Sequence, residues 1–321
     1  MLIASMTDIY EYTGEYGIEI STFIPYIYYL KRTGRFEGKR VLTYDGMQAY
    51  YYFLEAKEIM YKKGVRRYWL HPSMRQAWLP HVLKDEDKLY EDYNTPPPQF
   101  MVPDYKTHYG NFKLQGTDKP VFVIQNKFTM EWGGVPISYI TKETLQKVLP
   151  NLCEHFQVIY IRSNDLYDLP GYSSDHNEAY VFKLDEKDML RRDFPDVIVF
   201  EDMLDELKGV YDFNTLKAIA LANAEYVLTT LGGATFFSLA FPCKKHIIHR
   251  CDRPAISWPK EVFEPPYNLD PNVTTPARYT RQWFQNVHDI LCTHPHGHVE
   301  LTNSHGDLED MLMKLSNKQE N

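Results

Sequence analysis

A chain of 321 residues and 37.9 kDa exceeds one average domain and accommodates two of about 100 to 200 residues each. Its 44% hydrophobic and 24% charged residues exclude the disordered class, and a net charge of -8 excludes a surface built to neutralise nucleic-acid phosphates. No apolar run approaches the roughly 20 residues of a membrane span, the first eight residues lack a basic leader region, and the 4 cysteines show no CxxC spacing, so a soluble, cytoplasmic protein is expected.

Taken in chain order, Leu2 to Met6 reads as a strand, followed by a loop marked by Gly14 and Gly17 and by helical spacing at Phe23, Ile24, Ile27, Tyr28 and Lys31. Val41 to Tyr44 repeats the strand signal, residues 47 to 62 read as a helix closed by Gly64, and Tyr68-Trp69-Leu70 is apolar and aromatic again. The charge run Lys84 to Lys88 and Pro96-Pro97-Pro98 interrupt this rhythm as an irregular excursion.

Alternation then resumes. Strands are expected at Val121 to Ile124, Val158 to Ile161, Val197 to Phe200, Tyr226 to Thr230 and His246 to His249. Helices are expected at Lys142 to His155, Asn214 to Ala222, Ala234 to Ala240, around Trp283 and Phe284, and through Leu308, Met311, Leu312 and Leu315. Strands alternating with helices imply parallel sheets, and the second block is the clearer Rossmann-like unit.

The strongest chemical signal is Tyr226-Val227-Leu228-Thr229-Thr230-Leu231-Gly232-Gly233-Ala234-Thr235, a buried strand running through a Gly-Gly turn into a helix. Small residues let the backbone approach a ligand there, and Gly232, Gly233, Ala234 and Thr235 are the expected phosphate contacts. Neither the Walker pattern nor Gly-x-Gly-x-x-Gly is present, which leaves a diphosphate site or a turn that needs glycine for geometry alone. The 15% aromatic content, with 25 Tyr, suits contact with sugar hydroxyls.

The stretch Asp212 to Tyr226, running into the Gly-Gly turn, resembles the donor-binding domain of GT-B glycosyltransferases. Gly14-Glu15-Tyr16-Gly17-Ile18-Glu19 with Phe23 to Leu30 resembles their acceptor-side glycine loop and helix, and Ile124-Gln125-Asn126-Lys127 is a further match. The resemblance implies an α/β fold with two Rossmann-like domains whose parallel sheets face across a cleft. It places an acceptor domain at 1–116, a nucleotide-sugar donor domain at 117–270, and a C-terminal helical segment at 271–321 that crosses back.

It also implies sugar transfer from a nucleoside diphosphate sugar to a glycan acceptor with no cofactor and no metal, the leaving group being stabilised by backbone amides and cations. Lys127 and Arg162 are the expected cations, a solvated surface charge being the alternative for each. Asn126 and Glu201 are expected donor contacts, and Gly14 and Gly17 acceptor contacts. Glu15 is the expected general base, with Glu19 and Asp45 as alternatives. Asp212 reads as a helix cap. Asp85-Glu86-Asp87 lies in a charge run and His294-Pro295-His296-Gly297-His298 in a polar loop, so neither is expected to bind metal. A sugar-nucleotide epimerase of the same design and a non-catalytic carbohydrate-binding protein are the rival readings.

Overall fold

A computed structural model describes residues 9–12, 16–63, 102–112, 114, 119–128, 138–162, 184–248, 281–294, 297–302 and 304–317. Two wholly parallel sheets organise them. The first has the order β1-β2-β3, from Ile9–Glu11, Arg40–Tyr44 and Ile59–Lys62. Between β1 and β2 lie α1 (Tyr16–Ile18), a π-helical turn (Glu19–Phe23) and α2 (Ile24–Arg32). α3 (Tyr105–Tyr109) follows β3 in the described chain.

The second sheet contains β4 (Val121–Asn126), β5 (Gln157–Arg162), β6 (Ile198–Val199), β7 (Ala224–Thr230), β8 (Lys244–Ile248) and β9 (Val299–Thr302), in the order β6-β5-β4-β7-β8-β9. Its helices are α4 (Lys142–His155), α5 (Glu186–Asp193), α6 (Phe200–Glu206), α7 (Phe213–Asn223), α8 (Gly233–Leu239), α9 (Arg281–Leu291) and α10 (His305–Asn317). Counted from β4, this is the 3-2-1-4-5-6 order of a doubly wound α/β sheet.

All six residues of β4 are buried, as expected of a central parallel strand covered on both faces. Alternation sends Phe122 and Ile124 to one face and Val123 to the other. On the first face, Leu145, Val148, Leu149 and Leu152 present a helical stripe from α4, joined by Leu308 and Leu312 of α10. On the second, α7 and α8 pack between this sheet and the first, so one continuous core holds Val41 and Tyr50 together with Val123 and Val227.

Several elements differ from expectation. Residues 47 to 62 form a 3-10 turn (Gln48–Tyr51) and then β3, not a helix. Buried Tyr50 and Tyr51 anchor the turn, and the bond from Glu58 N to Glu55 O reverses the chain into an edge strand. The strand expected at Val197 to Phe200 shrinks to two residues at a sheet edge, and Phe200 opens α6. β1 and β9 were not anticipated: each has only three or four residues, too few for a periodic signal.

The segments Leu2 to Met6, Tyr68 to Leu70 and Asp85 to Asp87 lie outside the described residues, as do the expected boundaries at 116 and 270. Within 271–321, β9 pairs with β8 and α10 joins the second-sheet core beside α4. Among the described residues, no helix is long and apolar enough to cross a membrane.

Candidate functional site

In a 3-2-1-4-5-6 sheet the helices change face between the first and fourth strands, and a crevice opens beyond the carboxyl ends of those two. Here the pair is β4 and β7. The residue after β4 is Lys127, and β7 runs through Leu231 into Gly232. A Cβ at Gly232 would lie 3.0 Å from Lys127 Nζ, so the ammonium sits directly over the glycine turn. Thr235 N bonds to Gly232 O at 3.0 Å and closes the turn, while the Thr235 hydroxyl donates to Thr230 O at 2.8 Å.

Beneath the turn, Gln125 pairs in register with Thr229. Its Oε1 accepts from Thr229 Oγ1 at 3.5 Å and from Ser238 Oγ at 3.3 Å.

Residues following the carboxyl ends of β1 and β2 meet this edge. A Cβ at Gly17 would lie 3.3 Å from Gly233 Cα, and one at Gly233 would lie 2.6 Å from Tyr16 Cδ1. These two glycines let the backbones of the halves touch. Around them runs a buried chain of donors: Lys217 Nζ to Tyr16 OH (3.3 Å), Tyr16 to Tyr50 (2.6 Å), Tyr50 to Asn214 Oδ1 (2.6 Å) and Asn214 Nδ2 to Gly46 O (2.7 Å). Each hydroxyl has one proton, which sets the direction of the series. The aromatic faces of Tyr16, Phe213 and Phe237 surround the Lys217 ammonium at 5.4 to 6.0 Å.

The candidate carboxylates occupy unlike settings. Glu15 and Gly14 lie outside the described residues. Glu19 is fully buried and accepts hydrogen bonds from the Thr43 hydroxyl and, at 2.8 Å, from Tyr51 OH. Asp45 stands half-buried at the carboxyl end of β2, where its Oδ1 accepts from Gly46 N (3.1 Å) and Gln48 Nε2 (3.2 Å).

On the opposite face of β4, Asn126 bonds to both backbone polar groups of Ile140 at 2.9 Å and to Tyr160 OH at 3.0 Å. Tyr160 in turn donates to Glu186 Oε1 at 2.9 Å, which also takes Arg162 Nη1 at 2.7 Å. Burial pushes the Tyr160 hydroxyl well above its ordinary pKa, so it remains a donor. Arg162 is thus a buried, ion-paired residue, not a solvated cation.

Glu201 is buried and paired with Lys187 at 3.1 Å. The Asp212 side chain accepts from Thr215 N and caps α7. His294 bonds to Asp104 and His298 to Glu300, so these two histidines serve different neighbours.

No protein-family model and no curated protein sequence matches the chain. Among solved structures it is similar to the wall teichoic acid polymerase TagF, at 10% identity and a TM-score of 0.29, over 91% of this chain and 53% of that one. A structure of the same polymerase soaked with CDPG gives 10% identity and a TM-score of 0.27, over 92% and 60%. The chain therefore spans between half and two thirds of the length of these polymerase chains.

The structure brings Lys127 together with Gly232 at the start of the turn and sets Gly17 against Gly233. It holds Asn126, Arg162 and Glu201 in bonds to other side chains and backbone. Sequence reading gave no role to Gln125, Tyr16, Asn214, Lys217 or Glu186. Gln125, Tyr16, Asn214 and Lys217 stood inside the quoted motifs, but only strand register and the contact between the halves single them out.

Proposed function

We propose that the chain is a GT-B glycosyltransferase that moves a sugar from a nucleoside diphosphate sugar to a carbohydrate acceptor, with no divalent metal and with inversion through a carboxylate base. The observation that carries this reading is the placement of the Lys127 ammonium over the Gly232-Gly233 turn, at the strand-order reversal between β4 and β7. Open α/β sheets bind nucleotides at that point, and a cation there offsets the charge that develops on a departing diphosphate. Asp45 follows β2 next to Gly46, whose carbonyl accepts from Asn214 of the second half, and is a candidate for the base.

In this reading Gly232 to Thr235 and Lys127 hold the diphosphate. Asn126, Arg162 and Glu201 shape the walls of the donor side through their buried bonds, and Gly14 and Gly17 lie on the acceptor side. Acceptor-dependent release of nucleoside diphosphate from a panel of nucleotide sugars tests the proposal. An epimerase converts the donor with no acceptor present, and a binding protein leaves it intact, so either result overturns the transferase reading.

A further inference from the structure

Gln125 is 1% exposed, and its Nε2 has no hydrogen-bond partner. Its Oε1 faces the Thr229 and Ser238 hydroxyls, and the other end of the amide is buried without a hydrogen-bond partner. Turning the amide over still leaves one end without a partner, an acceptor in place of a donor, because those hydroxyls serve one end only. Buried amide groups are nearly always bonded, so a leftover donor in a central strand calls for a specific cause.

Its position supplies one. Gln125 is the penultimate residue of β4 and is paired with Thr229 of β7, so it stands at the strand-order reversal. Strand alternation puts Asn126 on the far side of β4 from Gln125, where its bonds to Ile140 and Tyr160 are found, and Lys127 follows just beyond the end of the strand. Lys127 then reaches over Gly232, beyond the end of the strand that Gln125 pairs with. Gln125 near the end of β4 and Lys127 just beyond it thus both neighbour the strand-order reversal.

We infer that Gln125 is a ligand-contacting residue of this site, its Nε2 donating a hydrogen bond to an anionic oxygen of the bound nucleotide diphosphate. The inference rests on the nucleotide-site reading above and adds a residue to it. The ligand selects the amide orientation: an oxygen drawn in by Lys127 needs a donor, and with Nε2 turned toward it Oε1 can accept from the Thr229 or Ser238 hydroxyl. Those hydroxyls have other partners, Thr235 and Ala234 O, so removing the amide strands neither of them.

Isothermal titration with UDP, GDP, dTDP and inorganic pyrophosphate, together with melting of the ligand-free protein, tests this on the full chain. Gln125→Met should melt at or above the wild-type temperature, because it removes a buried unsatisfied donor, yet bind the best ligand roughly 10-fold to 100-fold more weakly. Gln125→Glu should bind more weakly still, since it sets a carboxylate against the phosphate. Gln125→Asn withdraws the amide by one methylene and gives the same affinity test should the Met variant fail to fold. A folded Gln125→Met or Gln125→Asn protein with wild-type affinity overturns this inference alone. A wild-type protein that binds none of the four probes overturns the nucleotide site and this inference with it.

Discussion

Gly233 lies where the two halves touch, and the cost of giving it a side chain follows from that contact. In Gly233→Ala the new Cβ would sit 2.6 Å from Tyr16 Cδ1 and 3.4 Å from Gly17 N, so the ring must leave its seat. Overpacking of this kind costs about 1–3 kcal/mol. Displacing the ring also breaks the 2.6 Å bond from Tyr16 to Tyr50, worth about 0.5–1.5 kcal/mol. Gly233→Ala should therefore destabilise the protein by about 2–4 kcal/mol in urea unfolding.

A double-mutant cycle with Tyr16→Ala isolates the cause. With the ring gone the Cβ has room, and Gly233→Ala should then cost less than about 0.5 kcal/mol. An equal cost in both backgrounds refutes the contact as the reason for glycine. The Tyr16→Ala background also separates the two roles of Gly233, since any remaining loss of nucleotide affinity there reports on approach of the ligand to the turn.

Burial pushes the imidazoles of His246 and His288 down to about 4, so the unfolded chain takes up more protons as pH falls below the unfolded value of about 6.5. Stability is full above that value and should fall by about 2 kcal/mol per histidine between pH 7 and 5; urea titrations of His246→Leu should lose about 2 kcal/mol less over that range, and an unchanged slope refutes the assignment. Glu186→Ala removes the carboxylate that pairs with the buried Arg162 and accepts from Tyr160, and should cost about 3–5 kcal/mol, whereas adding Arg162→Met and Tyr160→Phe to Glu186→Met should recover most of it; additive variants refute the coupling. If a carboxylate is the base, one of Glu15→Gln, Glu19→Gln and Asp45→Asn should cut turnover by roughly 100-fold to 10,000-fold with donor affinity kept, and full activity in all three refutes the mechanism. A nucleoside diphosphate should raise the melting temperature equally with and without chelator; a shift that vanishes in chelator and returns with manganese refutes metal-free binding.

Local sequence was enough for elements that carry their own periodicity. Lys142–His155 and Asn214 to Ala222 are legible as helices from their apolar spacing, the second with Asp212 as its cap, as the structure has it. β4 and β7 are legible as buried strands from uninterrupted apolar runs, and the Gly-Gly turn after β7 follows from composition alone. Lys127 was legible as a candidate by its place just beyond a strand.

The remainder depended on partners distant in the chain. β1, β3, β6 and β9 are short edge or near-edge strands, defined by the neighbour they pair with more than by their own residues. Arg162 is a cation at a strand end, as Lys127 is, yet it pairs in register with Asn126, one residue earlier, and lies on the face where Glu186 takes its charge. Residue type and position relative to a strand are local properties that one sequence displays. Which face a side chain takes at the reversal of strand order, and which remote group meets it there, depends on sheet register and on the packing of one half against the other. For that reason composition and motif determined the parallel α/β architecture and the glycine turn, while only the tertiary structure set Lys127 over Gly232, Tyr16 against Gly233 and an unsatisfied Gln125 beneath them.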